Sequence, residues 1–144
     1  MLSGPCQPPF DYVLNVPHDP RAVGVARSSL RAVLSAHRLP ELVDRAELLV
    51  SEMLTNAVLH TSGRAELHLR WREETLRLSV WDTSPKPPDH PHEAPDCDSE
   101  HGRGLRLLGQ VADRWSHAPV LSGPFGTLTK IAWCEIGRKP VSER

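Results

Sequence analysis

The sequence predicts a two-layer α+β sandwich, with a mixed, mostly antiparallel sheet covered on one face by helices. Three observations lead there. Two segments with apolar residues at helical spacing lie together in the first half. Two alternating segments follow, separated only by Glu73-Glu74, which reads as an antiparallel hairpin. The chain has 144 residues, 39% of them apolar, which suits one domain around one core.

Residues 1–9 carry Pro5, Pro8 and Pro9 and read as a disordered N-terminus. Phe10 to Val16 is a candidate first strand. Asp19-Pro20 then offers an N-cap followed by proline at the first helical position. Ala22, Val25, Ala26, Leu30, Val33 and Leu34 place a helix over about 20–37. Leu39-Pro40-Glu41 restarts a helix in the same way, running to about His60 and stopping at Thr61-Ser62-Gly63. At ~1.5 Å per residue this second helix spans roughly 30 Å, the width of a small domain.

Between Arg64 and Arg72 the pattern switches to alternation, with Ala65, Leu67, Leu69 and Trp71 on one side. Thr75 to Asp82 alternates too, with Leu76, Leu78 and Val80 inward. Pro85 to Glu100 is a polar, proline-rich loop, and about 83–101 forms a candidate lid. Leu105 to Val111 reads as a helix opened by Gly102-Arg103-Gly104. Further strands are expected near Arg114–His117 and Thr127–Glu135, with residues 137–144 as a tail and 10–136 as the domain. The four tryptophans are expected to pack the sheet or its edges.

Composition narrows the function. The 17 basic and 18 acidic residues give a net charge of -1, so no electrostatic case exists for nucleic acid or an anionic membrane. No apolar run approaches the length of a membrane span. The start, Met1 to Cys6, has neither a basic nor an apolar region of the secretory kind. Cys6, Cys97 and Cys134 are scattered and odd in number, which speaks for a reducing, cytoplasmic setting.

Three features point to a nucleotide. On the long helix, Glu52, Asn56 and His60 recur every four residues and so share a face, with Thr55 beside them. A carboxylate and an amide one turn apart suit a Mg²⁺-phosphate site: the Asn56 oxygen can ligate the hard metal, and Glu52 can orient or deprotonate a hydroxyl. The same spacing also describes an ordinary solvated face. Asp82, by strand parity, lies with Leu76, Leu78 and Val80 on the core face. A carboxylate there needs a strong partner, such as a purine's exocyclic amine. Alternatively the strand has ended and Asp82 caps the turn at Thr83-Ser84-Pro85. Lastly, the two glycines around Arg103 open a helix, where backbone N–H groups and the helix dipole favour an anion.

Together and in this order, these motifs resemble those of the Bergerat-fold ATPases, which include gyrase, heat-shock chaperones, MutL and histidine kinases. Glu52-Met53-Leu54-Thr55-Asn56, with Ala57 and His60, is similar to the N box. Asp82-Thr83-Ser84-Pro85 is similar to the first G box, and Gly102-Arg103-Gly104-Leu105 to the second. The small stand-alone group related to anti-sigma-factor serine kinases is the nearest resemblance, over about residues 10–136. It implies ATP and Mg²⁺ as cofactors, an adenine-binding Asp82, a Mg²⁺-binding Asn56 and a general base at Glu52. It further implies nucleotide contacts from His60, Ser84, Gly102, Arg103, Gly104, Leu105 and Thr129. The implied activity is phosphorylation of a serine on an anti-anti-sigma partner, or sequestration of a sigma factor. The first helix is the implied surface for a homodimer.

The pattern departs from the family in two places. Ser84 stands where the first G box usually has glycine. In Thr129-Lys130-Ile131-Ala132-Trp133, Ile131 takes the place of the threonine that supports the adenine aspartate, and Thr129, two residues earlier, is a candidate substitute. Two other readings compete. One is a protein-sequestering module with structural or lost nucleotide binding. The other is a metal site built from His90, His92, Asp96, Cys97, Asp98 and His101 in the lid.

Overall fold

The computed structural model describes residues 7–60, 63–83, 109–120 and 129–138. Strand β1 (Phe10–Val16) leads into helix α1 (Arg21–Ala36). Asp19 starts α1 by accepting the backbone N–H of Arg21 at 2.9 Å, and the Arg21 guanidinium folds back onto the same carboxylate at 2.8 Å. The helix ends on Arg38 in the left-handed region, φ 61°. There the Arg38 N–H bonds to the Ser35 carbonyl and the Leu39 N–H to the Leu34 carbonyl, the two hydrogen bonds of a Schellman motif. Leu34 and Leu39 supply its apolar contact, both fully buried.

The second helix does not run unbroken from Pro40. Its first turn, Pro40–Leu42, is a 3₁₀ turn in which the Leu42 N–H reaches the Leu39 carbonyl at 3.1 Å, and α2 proper spans Val43–His60. A tightened first turn is a common end to an α-helix.

Strands β2 (Ala65–Arg72) and β3 (Thr75–Thr83) pair antiparallel across Glu73-Glu74. Both turn residues have positive φ, 49° and 61°, as a type I′ turn requires. Residues 109–111 are helical, and the rest of the helix expected from Leu105 lies outside the described residues. Strand β4 (Arg114–Val120) is longer than the short segment expected at Arg114–His117, and β5 (Thr129–Gly137) completes the sheet. The strand order is β1-β2-β3-β5-β4, so β5 returns to lie between β3 and β4. Every pairing among the described residues is antiparallel. Pro119 is accommodated because β4 is an edge strand.

The two helices pack on each other and on one sheet face, α1 against β1 and α2 against β3 and β5. Leu67, Leu69, Trp71, Leu76, Leu78, Val80, Cys134 and Ile136 from the sheet share one core with Leu30, Leu34, Leu49, Val50 and Met53 from the helices. Edge strand β1 is fastened by rings: Phe10 stacks on His37 at 4.1 Å, and the Tyr12 hydroxyl meets His37 Nε2 at 2.7 Å. The opposite sheet face is polar and aromatic. There the Arg77 guanidinium lies 4.1 Å over the Trp133 ring, and Glu135 sits between Arg77 and Arg114 at 3.7 and 3.3 Å. Among the described residues no helix is long and apolar enough to cross a membrane.

Candidate functional site

Helix α2 presents Glu52 and Asn56 one turn apart, both half-buried, with half-buried Thr55 between them. The helix is fixed in rotation by its apolar stripe, since Leu49, Val50, Met53, Leu54 and Ala57 are all buried. Its neighbours across the layer are β3 and β5. His60 ends the helix, and its side chain is not among the described ones.

Asp82 sits near the end of β3. The strand period and the ladder put it on the face of Leu76, Leu78 and Val80, and it is 9% exposed. Ladder pairing continues through Thr83, so the strand has not ended before the acid. Its Oδ1 is enclosed and accepts no hydrogen bond among the described residues. Burial pushes the carboxyl up from its usual 3.8 to about 6, while the charge of Lys130 pulls the other way. An enclosed carboxylate oxygen without a donor costs about 1–3 kcal/mol or more. A donor brought by a ligand would recover that cost, and any N–H or O–H group has the chemistry to do so.

The last strand places its residues in a way the sequence did not disclose. Lys130 is the ladder partner of Asp82, so the two side chains leave the sheet on the same face. Thr129 is fully buried, but it pairs with Thr83 and so lies on the face opposite Asp82, which does not suit it as the substitute support for the acid. Ile131 pairs with Trp81 on the opposite face from Asp82. Alternation from Cys134 and Ile136 back to Lys130 would have put the lysine on the core face; the missing piece was the β3–β5 register.

Ser84, Gly102, Arg103, Gly104 and Leu105, the lid, and the lid's candidate metal ligands His90, His92, Asp96, Cys97, Asp98 and His101 lie outside the described residues. Among those that are described, no cluster of three or more His, Cys, Asp or Glu could hold a metal. Neither Glu52 nor Asn56 has a side-chain hydrogen bond or ion pair to another described residue. An acceptor-only carboxylate and an amide oxygen on adjacent turns are hard oxygen donors of the type Mg²⁺ prefers.

The family model for the histidine kinase-like ATPase domain matches residues 16–133. The match therefore begins at the end of β1, includes both helices and the hairpin, and reaches Trp133 within β5. No curated protein matches the chain.

Proposed function

The chain belongs to the histidine kinase-like ATPase domain family, and from that premise we propose that it is an ATP-binding regulator acting as a serine/threonine kinase of the anti-sigma type on a protein partner. The observation that carries this reading is the buried Asp82 with an unpartnered Oδ1, at the end of a strand packed beneath the helix that bears Glu52 and Asn56. An acid so placed accepts the exocyclic amine of adenine.

In this reading Asn56 supplies the amide oxygen that holds Mg²⁺, and the bound metal supplies charge neutralisation on the phosphates. Glu52, one turn away, takes the proton from the acceptor serine hydroxyl. The turn at Gly102–Gly104, with Arg103, steadies the phosphate oxygens through backbone N–H groups. The acceptor serine belongs to another protein, an anti-anti-sigma factor, or the same surface occludes a sigma factor. The setting is cytoplasmic, and the first helix supplies a homodimer contact.

Titration with a fluorescent ATP analogue and Mg²⁺ tests the first half. Saturable binding by the wild type, weakened by Asp82→Ala, supports it; no binding at neutral pH removes it. Transfer of labelled γ-phosphate to the serine of a partner tests the second. Glu52→Ala should abolish transfer while binding stays within about threefold, since a base acts on the reaction and not on the ground-state complex. Normal transfer by that variant overturns the role given to Glu52.

One observation favours a second reading, a partner-sequestering module with weak or lost nucleotide binding. By the β3–β5 register Thr129 and Ile131 both lie on the face away from Asp82, so neither position brings the acid a hydroxyl neighbour. Partner capture that is indifferent to ATP, with no transfer, would establish it.

A further inference from the structure

Asp82 has three packed surroundings. From β2 its ladder partner is Ala65, which brings no charge. From β5 its ladder partner is Lys130. Helix α2, which packs over β3 and β5, carries Asp44, Arg45, Glu47, Glu52 and His60 as its ionisable residues. Arg64, just before β2, is exposed. Among these groups, Lys130 is the charge that acts on the Asp82 carboxyl.

A directly cross-strand pair has Cβ atoms about 4.5–5.5 Å apart, well within the reach of a lysine ammonium. The pair is also asymmetric. Lys130 is half-buried and keeps access to solvent, whereas Asp82 is enclosed and its Oδ1 takes no described donor. The lysine is thus an electrostatic neighbour that leaves one carboxylate oxygen open. An aspartic acid in the neutral form carries a proton where an amine must donate, so only the carboxylate offers both oxygens as acceptors.

We propose that Lys130 is a positioning residue of the base pocket, whose ammonium holds Asp82 in its charged form so that the open Oδ1 can accept an amino group of the ligand. This rests on the nucleotide reading for the identity of the ligand, but not for the coupling between the two side chains. Lys130 touches neither phosphate nor the transferred group; it acts through Asp82.

The coupling is measured in the protein without nucleotide, by following the Asp82 side-chain carboxyl carbon through pH 4–9 by ¹³C NMR. The wild-type midpoint is expected at about 6. Lys130→Met should move it up by about one unit, as removal of a neighbouring opposite charge does, and Lys130→Arg should leave it near the wild-type value. Lys130→Gln is the second neutral variant should the methionine not fold. A midpoint unmoved in the neutral variants overturns the proposal. The same variants are then titrated with a fluorescent ATP analogue at each pH. Wild-type affinity should fall about tenfold per pH unit below the midpoint, and the neutral variants should begin that fall about one unit higher. Absence of binding at every pH, with the NMR shift present, would overturn the nucleotide reading and leave the Lys130–Asp82 coupling standing. Binding with a pH profile that ignores Lys130 would overturn the inference and leave the nucleotide reading intact.

Discussion

Two aspartates show how differently one side chain behaves at a surface and in a core. Asp19 accepts the Arg21 backbone N–H and side chain, and those bonds hold its carboxyl down from 3.8 to about 2. A depressed folded value means stability that is present above about 4 and lost as pH falls towards 2. Asp82 has the opposite sign. Its folded value of about 6 exceeds the usual 3.8, so the folded state takes up the proton more readily, and stability is lost as pH rises through that window. Two pH units correspond to about 3 kcal/mol of destabilisation at neutral pH, in order of magnitude. Asp82→Asn removes the desolvated charge while keeping the shape. We expect it to raise the unfolding free energy of the nucleotide-free protein at pH 7.5 by about 1–3 kcal/mol, to change little at pH 4, and to weaken binding of an ATP analogue. Urea denaturation at the two pH values checks the first part. A less stable variant at pH 7.5 would show that Asp82 contributes a structural bond. An acid retained at a cost to the fold is the physical sign of a site, since local strain or unpaired burial is kept where a ligand relieves it.

At the level of elements, three of the described residues adopt left-handed backbone without being glycine: Arg38 after α1, and Glu73 and Glu74 in the β2–β3 turn. Each bears a Cβ where it crowds the following carbonyl, at a cost of about 1–2 kcal/mol. Arg38→Gly should therefore stabilise the protein by about 0.5–1 kcal/mol, because the Schellman hydrogen bonds use only backbone atoms. Glu73→Gly should act in the same direction by a similar amount. Its side chain is exposed, and the hydrogen bond it takes part in, from the Thr75 hydroxyl, uses its backbone carbonyl and survives the change. Denaturation midpoints with unchanged slopes would show both effects; a fall in either midpoint would mean that the side chain carries a contact outweighing its backbone cost. Sequence patterning located both places correctly as a helix end and a hairpin turn, because the apolar period breaks there. It did not reveal the left-handed geometry, since the residues that usually advertise it are glycine and asparagine. The 3₁₀ turn at Pro40–Leu42 was equally silent, because proline opens either helix type.

Over the whole molecule, local period and long-range pairing divide what could be read. The inward faces of β2 and β3 follow from apolar spacing, as does that of α1 except at Val25, which the spacing counted inward and which is 61% exposed; the parity that put Leu76, Leu78 and Val80 inward also placed Asp82. The position of β5 between β3 and β4 does not follow from any local pattern, and with it went the pairing of Lys130 to Asp82. Topology is set by which core closes best, and that is a property of all the elements together. The same dependence governs how the protein unfolds. Leu78 is fully buried at the middle of β3, between β2 and β5 and beneath the helix layer. Leu78→Ala leaves a cavity that both layers line, so it should cost about 2–5 kcal/mol. If helices and sheet share one cooperative core, the midpoint seen by helical circular dichroism and that seen by tryptophan fluorescence should fall together, Trp71 being fully enclosed in that core. Were the two signals to separate, with the helical one surviving the fluorescence change, α1 and α2 would be shown to hold without the sheet. The pocket would then be assembled by docking of two layers, and Glu52 and Asn56 would meet Asp82 only in the docked state.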